Sequence, residues 1–294
     1  MVIVSEPRPS RFKVAQIYLK RLNRWRRNSS PYISGDAFAD LANFVYNPPR
    51  WRNLKRNTFI SDAEIIFCKS HDLQNLFDLH AKDIGAKVII TGNSDFEFHA
   101  APTNIPRSVR ALFLQNSYIS DDKFVFTLPI GIENFRLGVN GNPKYIKKLT
   151  NSRLNFRRVL IGPLSATHPI RSHVLHKFPK QHEIWDLVVN RLTPKEYNEV
   201  ANSYSLIAAI RGNGIDTHRL WESLYRGLTP IVMRDEWWKS LEEVYPQVIT
   251  ICEWSESELH RAAREFRADD WEPQEIQALW MPYWEKKIQS FLVD

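Results

Sequence analysis

From residue 61 onward, short apolar runs recur with amphipathic or polar stretches between them. Segments 64–68 and 87–91 have strand character, and 72–81 between them carries helical spacing. Two further strands are expected at Ala111–Gln115 and 124–128. A second series follows at 158–161, 187–189, 206–210, Thr229–Met233 and 248–252. Strands that alternate with helices predict an α/β fold with parallel sheets covered on both faces. The run 138–143, Gly-Val-Asn-Gly-Asn-Pro, is dense in turn formers and is the expected linker between the two series. A last helix is expected over 273–291, with Ile276, Leu279, Trp280, Tyr283, Trp284 and Ile288 on it and a kink at Pro282. No internal repeat, low-complexity tract or heptad pattern is visible.

Segment 206–238 carries the chemistry. Its first strand ends in the turn Arg211-Gly212-Asn213-Gly214. A helix follows, capped by Asp216 or Thr217, and Gly227 closes it before the next strand. A strand feeding a helix through a glycine turn places backbone N–H groups at the positive end of the helix dipole, which suits phosphate. Around the helix, Leu220, Trp221, Leu224, Tyr225 and Leu228 share one face, and His218, Arg219, Glu222 and Arg226 share the other. Glu222 is spaced to accept the hydroxyls of a ribose. Asn213, Asp216, Thr217, His218, Arg219 and Glu222 form a polar run where open α/β sheets place their ligands. The plainer alternative is that Glu222 and Arg226 form a solvated i,i+4 pair, worth a few tenths of a kcal/mol. A second candidate phosphate element follows strand 158–161, where Gly162-Pro163 leads to Thr167, His168, Pro169 and Arg171. An arginine fork there suits a diphosphate leaving as an anion.

The string from Arg211 to Val232 resembles the donor-binding segment of exostosin-like glycosyltransferases. Their pattern is Arg-Gly, then Ser/Thr and Arg, then Glu-Ala, and a Gly before an Ile/Val-Pro-Val strand. A looser similarity runs from Ser61 to the C-terminus. The chain departs where Ala209-Ile210 stands in place of a frequent Cys-Pro and where Ser223 replaces Ala, and no Golgi anchor like that of the animal enzymes is expected. The resemblance implies a GT-B-like architecture, with two Rossmann-like domains facing a cleft. It also implies a nucleotide-sugar donor, UDP- or GDP-linked, on the C-terminal domain, and a last helix crossing back to brace the N-terminal one. The expected division is 1–138 as the acceptor-side domain (1–60 basic and less regular), 139–275 as the nucleotide-sugar domain and 276–294 as the bracing helix.

For the acceptor, the loops after N-terminal strands are the place to look. Asp95, Glu97 and His99 follow a strand directly, and each is a candidate base for an acceptor hydroxyl. Asp95 equally suits a helix N-cap; His71 and Glu133 are weaker alternatives. The pairs Trp237–Trp238 and Trp280/Trp284 are candidates for stacking on sugars, with core packing the commoner role. No Asp-x-Asp element follows a strand and the histidines lack metal-site spacing, so a metal-independent reaction without a resident cofactor is expected. Leaving-group charge then falls to Arg171, Arg211 or Arg219 and the helix N-terminus.

Composition adds less. Hydrophobic residues at 43% and charged residues at 25% over 294 positions are globular values. The chain has no apolar run near the roughly 18 residues of a membrane span. A net charge of +7 points weakly to anionic partners. Segment 11–27 spaces Phe12, Ala15, Leu19, Leu22 and Trp25 along one helical face among lysines and arginines. It is expected to pack on the N-terminal domain or to touch an anionic membrane surface. Cys68 and Cys252 both sit in apolar runs and are expected as buried free thiols, which fits a reducing cytoplasm. The expected partners are thus a nucleotide sugar and a glycan or glycolipid acceptor, without nucleic acid. Two rivals remain. Gly212-x-Gly214 with Asp235 or Glu236 partly mimics a dinucleotide fingerprint, which suggests an NAD(P)-dependent oxidoreductase. The basic segment suggests a nucleic-acid- or polysaccharide-binding protein without chemistry.

Overall fold

The computed structural model describes residues 29–46, 59–121, 123–137, 140–146, 155–267 and 271–293; the basic segment 11–27 lies outside them. The first sheet takes β1 Phe44–Val45, β2 Ile65–Lys69, β3 Val88–Gly92, β4 Ala111–Gln115 and β5 Val125–Leu128, side by side in chain order. The second takes β6 Asn155–Ile161, β7 Trp185–Leu187, β8 Tyr204–Ala208, β9 Thr229–Met233 and β10 Ile249–Ile251, in the order β10-β9-β8-β6-β7. Every pairing is parallel, with registers such as Ile90↔Phe113 and Ala208↔Ile231. Residues of β3, β4 and β8 are buried along their whole length, as strands covered on both faces must be. The fold is therefore α/β, built on two parallel five-stranded sheets and compatible with two Rossmann-like domains.

Eight α-helices accompany these strands among the described residues: α1 Gly35–Leu41, α2 Leu73–His80, α3 Pro169–Lys177, α4 Pro194–Ala201, α5 His218–Tyr225, α6 Glu236–Lys239, α7 Glu256–Glu265 and α8 Met281–Gln289. Their starts follow capping chemistry. Ser34 accepts from Ala37 N, Thr193 and Glu196 form a reciprocal capping box, and Ser255 accepts from Glu258 N.

One apolar cluster joins the two halves. It holds Ile90 and Phe113 of the first sheet, Leu220, Trp221 and Leu224 of α5, and Met281, Trp284 and Ile288 of α8. Helix α5 thus belongs to the core of both halves, as its apolar face predicts. The C-terminal segment returns to the first sheet. Met281 N donates to Pro31 O at 2.9 Å, and Lys87 Nζ donates to Leu292 O at 2.6 Å. The Phe291 ring packs on Phe113 and Phe126 at 6.0 and 5.2 Å.

Three expectations need correction. The last element is not a long kinked helix. Two 3-10 turns, Pro273–Glu275 and Gln277–Leu279, precede α8, and Pro282 lies in its first turn, where a missing N–H breaks no helical bond. Strand 187–189 is instead Trp185–Leu187, with Val189 42% exposed. The ladder ends there because Gly162, at φ +87°, turns the chain against Val188 O. Cys68 is buried as expected, but Cys252 is exposed, just past the end of β10 where its N–H donates to Glu258 Oε2. Among the described residues, no helix is long and apolar enough to cross a membrane.

Candidate functional site

The carboxyl ends of the two sheets meet around the start of α5. Gly214 passes so close to the loop after β4 that a Cβ on it would lie 2.9 Å from Asn116 Nδ2. Asp216 N donates to Asn116 Oδ1 at 3.1 Å, and His218 Nδ1 donates to Gly131 O at 2.7 Å. The glycine turn therefore serves as a contact surface between the halves.

Asp216 is the strut of this junction. Its Oδ2 accepts from Ile130 N at 2.7 Å, and its Oδ1 accepts from Thr217 N at 2.6 Å and Trp221 Nε1 at 2.8 Å. Burial pushes its carboxyl up to about 7, against the pull of those three N–H donors. Thr217 is the N-cap: its hydroxyl accepts from Arg219 N. Asp216 N, Thr217 N and Arg219 N are thus already engaged, so this helix start has fewer amides to give an anion than its glycine turn suggests.

The positive charge comes instead from arginine side chains. Arg171, on α3, donates through Nε to Arg211 O at 2.8 Å and through Nη2 to Ile210 O at 2.9 Å. Its Nη1 lies 3.2 Å from Thr167 Oγ1 and 3.3 Å from Ser165 Oγ. Burial first, and then the neighbouring Arg219 charge, lower its guanidinium to about 10, which leaves it cationic at neutral pH. Arg219 donates through Nη2 to Pro163 O at 2.8 Å and lies over the Tyr197 ring at 5.4 Å, while its buried Nη1 has no acceptor among the described residues. The Tyr197 hydroxyl is also buried without a partner. Two like charges held together with an unused donor make a locus that gains from an anion.

Arg211 reaches the other way, into the first sheet. Its Nη2 forms an ion pair with Glu97 Oε1, and its Nη1 donates to Tyr118 Oη at 3.3 Å. Its buried Nε has no acceptor among the described residues. Glu97 Oε2 lies 3.5 Å from His99 Nε2, and the His99 ring stacks on Tyr118 at 4.5 Å. The segment is fixed because Phe98 and Ser117 form a parallel bridge. His168 caps α3, accepting at Nδ1 from Ile170 N, and burial with the Arg211 and Arg171 charges lowers its pKa. Asp235 caps α6 through Trp238 N at 3.0 Å; burial raises its pKa, with Arg211 opposing.

The remaining candidates separate. Asp95 is exposed in the loop after β3, and no helix starts there, so the N-cap alternative does not apply. Asn213 is exposed, and its carbonyl accepts from Arg211 Nη2 at 3.4 Å. Glu222 does not form a solvated pair. Its side chain is 13% exposed and bonds at 3.3 Å to Arg226, itself 4% exposed and tied to Asn198 Oδ1 and Tyr145 O. His71 Nδ1 and Ser94 Oγ are 2.8 Å apart, and Glu133 Oε2 accepts from Asn140 N. Trp237, Trp238 and Trp284 are buried in the core. Asn116, Tyr118 and Tyr197 lie outside the sequence patterns that single out the other candidates. The first two lie in the loop after β4, a position that alone marked them for attention; nothing local marks Tyr197. No protein-family model and no curated protein sequence matches the chain.

Proposed function

We propose that the chain is a glycosyltransferase of GT-B-like architecture that moves a sugar from a nucleotide-diphosphate donor to a glycan or lipid-linked acceptor. The observation that carries this reading is the Arg171–Arg219 pair at the start of α5, with a buried guanidinium N–H lacking an acceptor. Such a pair suits the diphosphate of a donor and the charge that develops as it leaves. The donor lies over the ends of β6 and β8, with Glu222 accepting the ribose through the oxygen not spent on Arg226. The acceptor enters from the loops after β3 and β4, where Glu97 and His99 are candidates for taking its proton and exposed Asp95 is a third. Arginine chemistry at the leaving group supports a metal-independent transfer. The dinucleotide alternative finds less support, because of the two acids at its fingerprint position Asp235 spends its carboxylate on capping α6 and Glu236 pairs with Lys239.

Turnover of a nucleotide-sugar panel tests the proposal, with released nucleotide as the readout. Hydrolysis or transfer from one donor class, unchanged in EDTA, is expected. Activity abolished by EDTA and restored by manganese would contradict the metal-free part.

A further inference from the structure

The pairing of Arg211 with Glu97 has an unusual balance. The guanidinium carries five N–H donors, yet among the described residues it reaches, beyond Glu97, only Tyr118 Oη at 3.3 Å and Asn213 O at 3.4 Å, and its Nε has no partner there. Both members are largely removed from water, at 20% and 16% side-chain exposure. Glu97, by contrast, has an alternative partner, because the His99 imidazole lies 3.5 Å from its other oxygen. Arg211 also adjoins the Arg171 locus: its carbonyl accepts from Arg171 Nε, and its side-chain charge acts on His168 together with those of Glu97 and Arg171. A second anionic oxygen group entering beside Arg171 and Arg219 therefore meets Arg211 with Glu97 already on it.

We infer that Glu97 is a built-in competitor for the anion: its carboxylate occupies Arg211 in the empty protein, and the second phosphoryl group of a diphosphate displaces it. The inference rests on the proposed donor site and adds to it a preference and a coupling. A monophosphate satisfies Arg171 and Arg219 alone and leaves Glu97 in place. A diphosphate spans to Arg211, and the released Glu97 carboxylate turns to His99 on the acceptor side. Donor binding thereby frees an acceptor-side carboxylate with no metal or further group involved.

Calorimetric titration of inorganic pyrophosphate and of orthophosphate into the full chain tests this, using wild type, Glu97→Gln and Arg211→Gln. Wild type should prefer pyrophosphate. Glu97→Gln should bind pyrophosphate about tenfold more tightly, the factor worth roughly one charge-assisted hydrogen bond, with orthophosphate affinity unchanged. Arg211→Gln should lose the preference for pyrophosphate. Circular dichroism and melting of each variant check folding. Pyrophosphate that binds Glu97→Gln no better than wild type, with both folded, overturns the competitor role. Equal affinity of wild type for the two anions overturns the spanning geometry. Failure of both anions to bind wild type removes the donor site itself, and the inference with it.

Discussion

Arg211, at the carboxyl end of one sheet, is ion-paired to Glu97, in a loop at the carboxyl end of the other. The two residues are 114 positions apart in the chain, and their contact brings ionisable side chains of both halves together near the start of α5. Around them lie His99 and Tyr118 from the first sheet and His168 and Asp235 from the second. The site is thus shared between halves.

Glu222 should reveal two roles at once. Glu222→Gln should weaken nucleotide binding by about 1.5–3 kcal/mol, the scale of a charged hydrogen bond. Because its partner Arg226 is buried, the same change should also lower stability, by roughly 1–3 kcal/mol. Titration and denaturant melts separate the two effects. If the affinity loss is the same for a nucleotide lacking ribose hydroxyls, Glu222 acts only as Arg226's counter-ion.

Asp216 should impose a pH dependence on stability. Its folded pKa is raised to about 7 from an ordinary 3.8. Between those values the folded chain holds a proton that the unfolded chain has released. Stability from this group is therefore full below about pH 4 and falls as pH rises to about 7, by a few kcal/mol. Urea melts across this range should show the decline, and Asp216→Asn should flatten it. A slope unchanged in Asp216→Asn would assign it to other groups.

Tyr225 ties three distant segments together. Its hydroxyl accepts from Ile33 N at 2.9 Å and donates to Leu279 O. Tyr225→Phe leaves a buried amide and a buried carbonyl unpaired, so melts should show a loss of about 2–3 kcal/mol. A loss under about 0.5 kcal/mol, the size of an ordinary surface change, would show that water or a small shift satisfies both groups.

Much of the fold was legible because its strands are local signals. Apolar runs such as Ile65–Lys69 and Thr229–Met233 declare themselves by composition, and α5 by its apolar face. Trp185–Leu187 was misplaced because the apolar run 187–189 outweighed the tryptophan before it, whereas the turn at Gly162 set the end of the ladder. Site chemistry was legible as residue types and not as partnerships. Arg171, Arg211 and Arg219 were visible in the chain. That Asp216 N is taken by Asn116, and that Glu222 faces an arginine buried against Tyr145 and Asn198, depends on contacts from far along the chain. Sequence spacing carries no information on such long-range pairs.

The central claim is that the guanidinium pair at the start of α5 holds a nucleotide diphosphate. It is tested most directly by thermal melts of wild type and Arg219→Gln against UDP-, GDP- and dTDP-sugars, with a CMP-sugar, which carries a single phosphate, as the fourth ligand and control. A matching donor at a hundred times its Kd should stabilise wild type by about 2.7 kcal/mol, and the shift should largely vanish in a folded Arg219→Gln protein. A donor that stabilises both proteins equally, or no stabilisation of wild type by any of the four, would contradict the account.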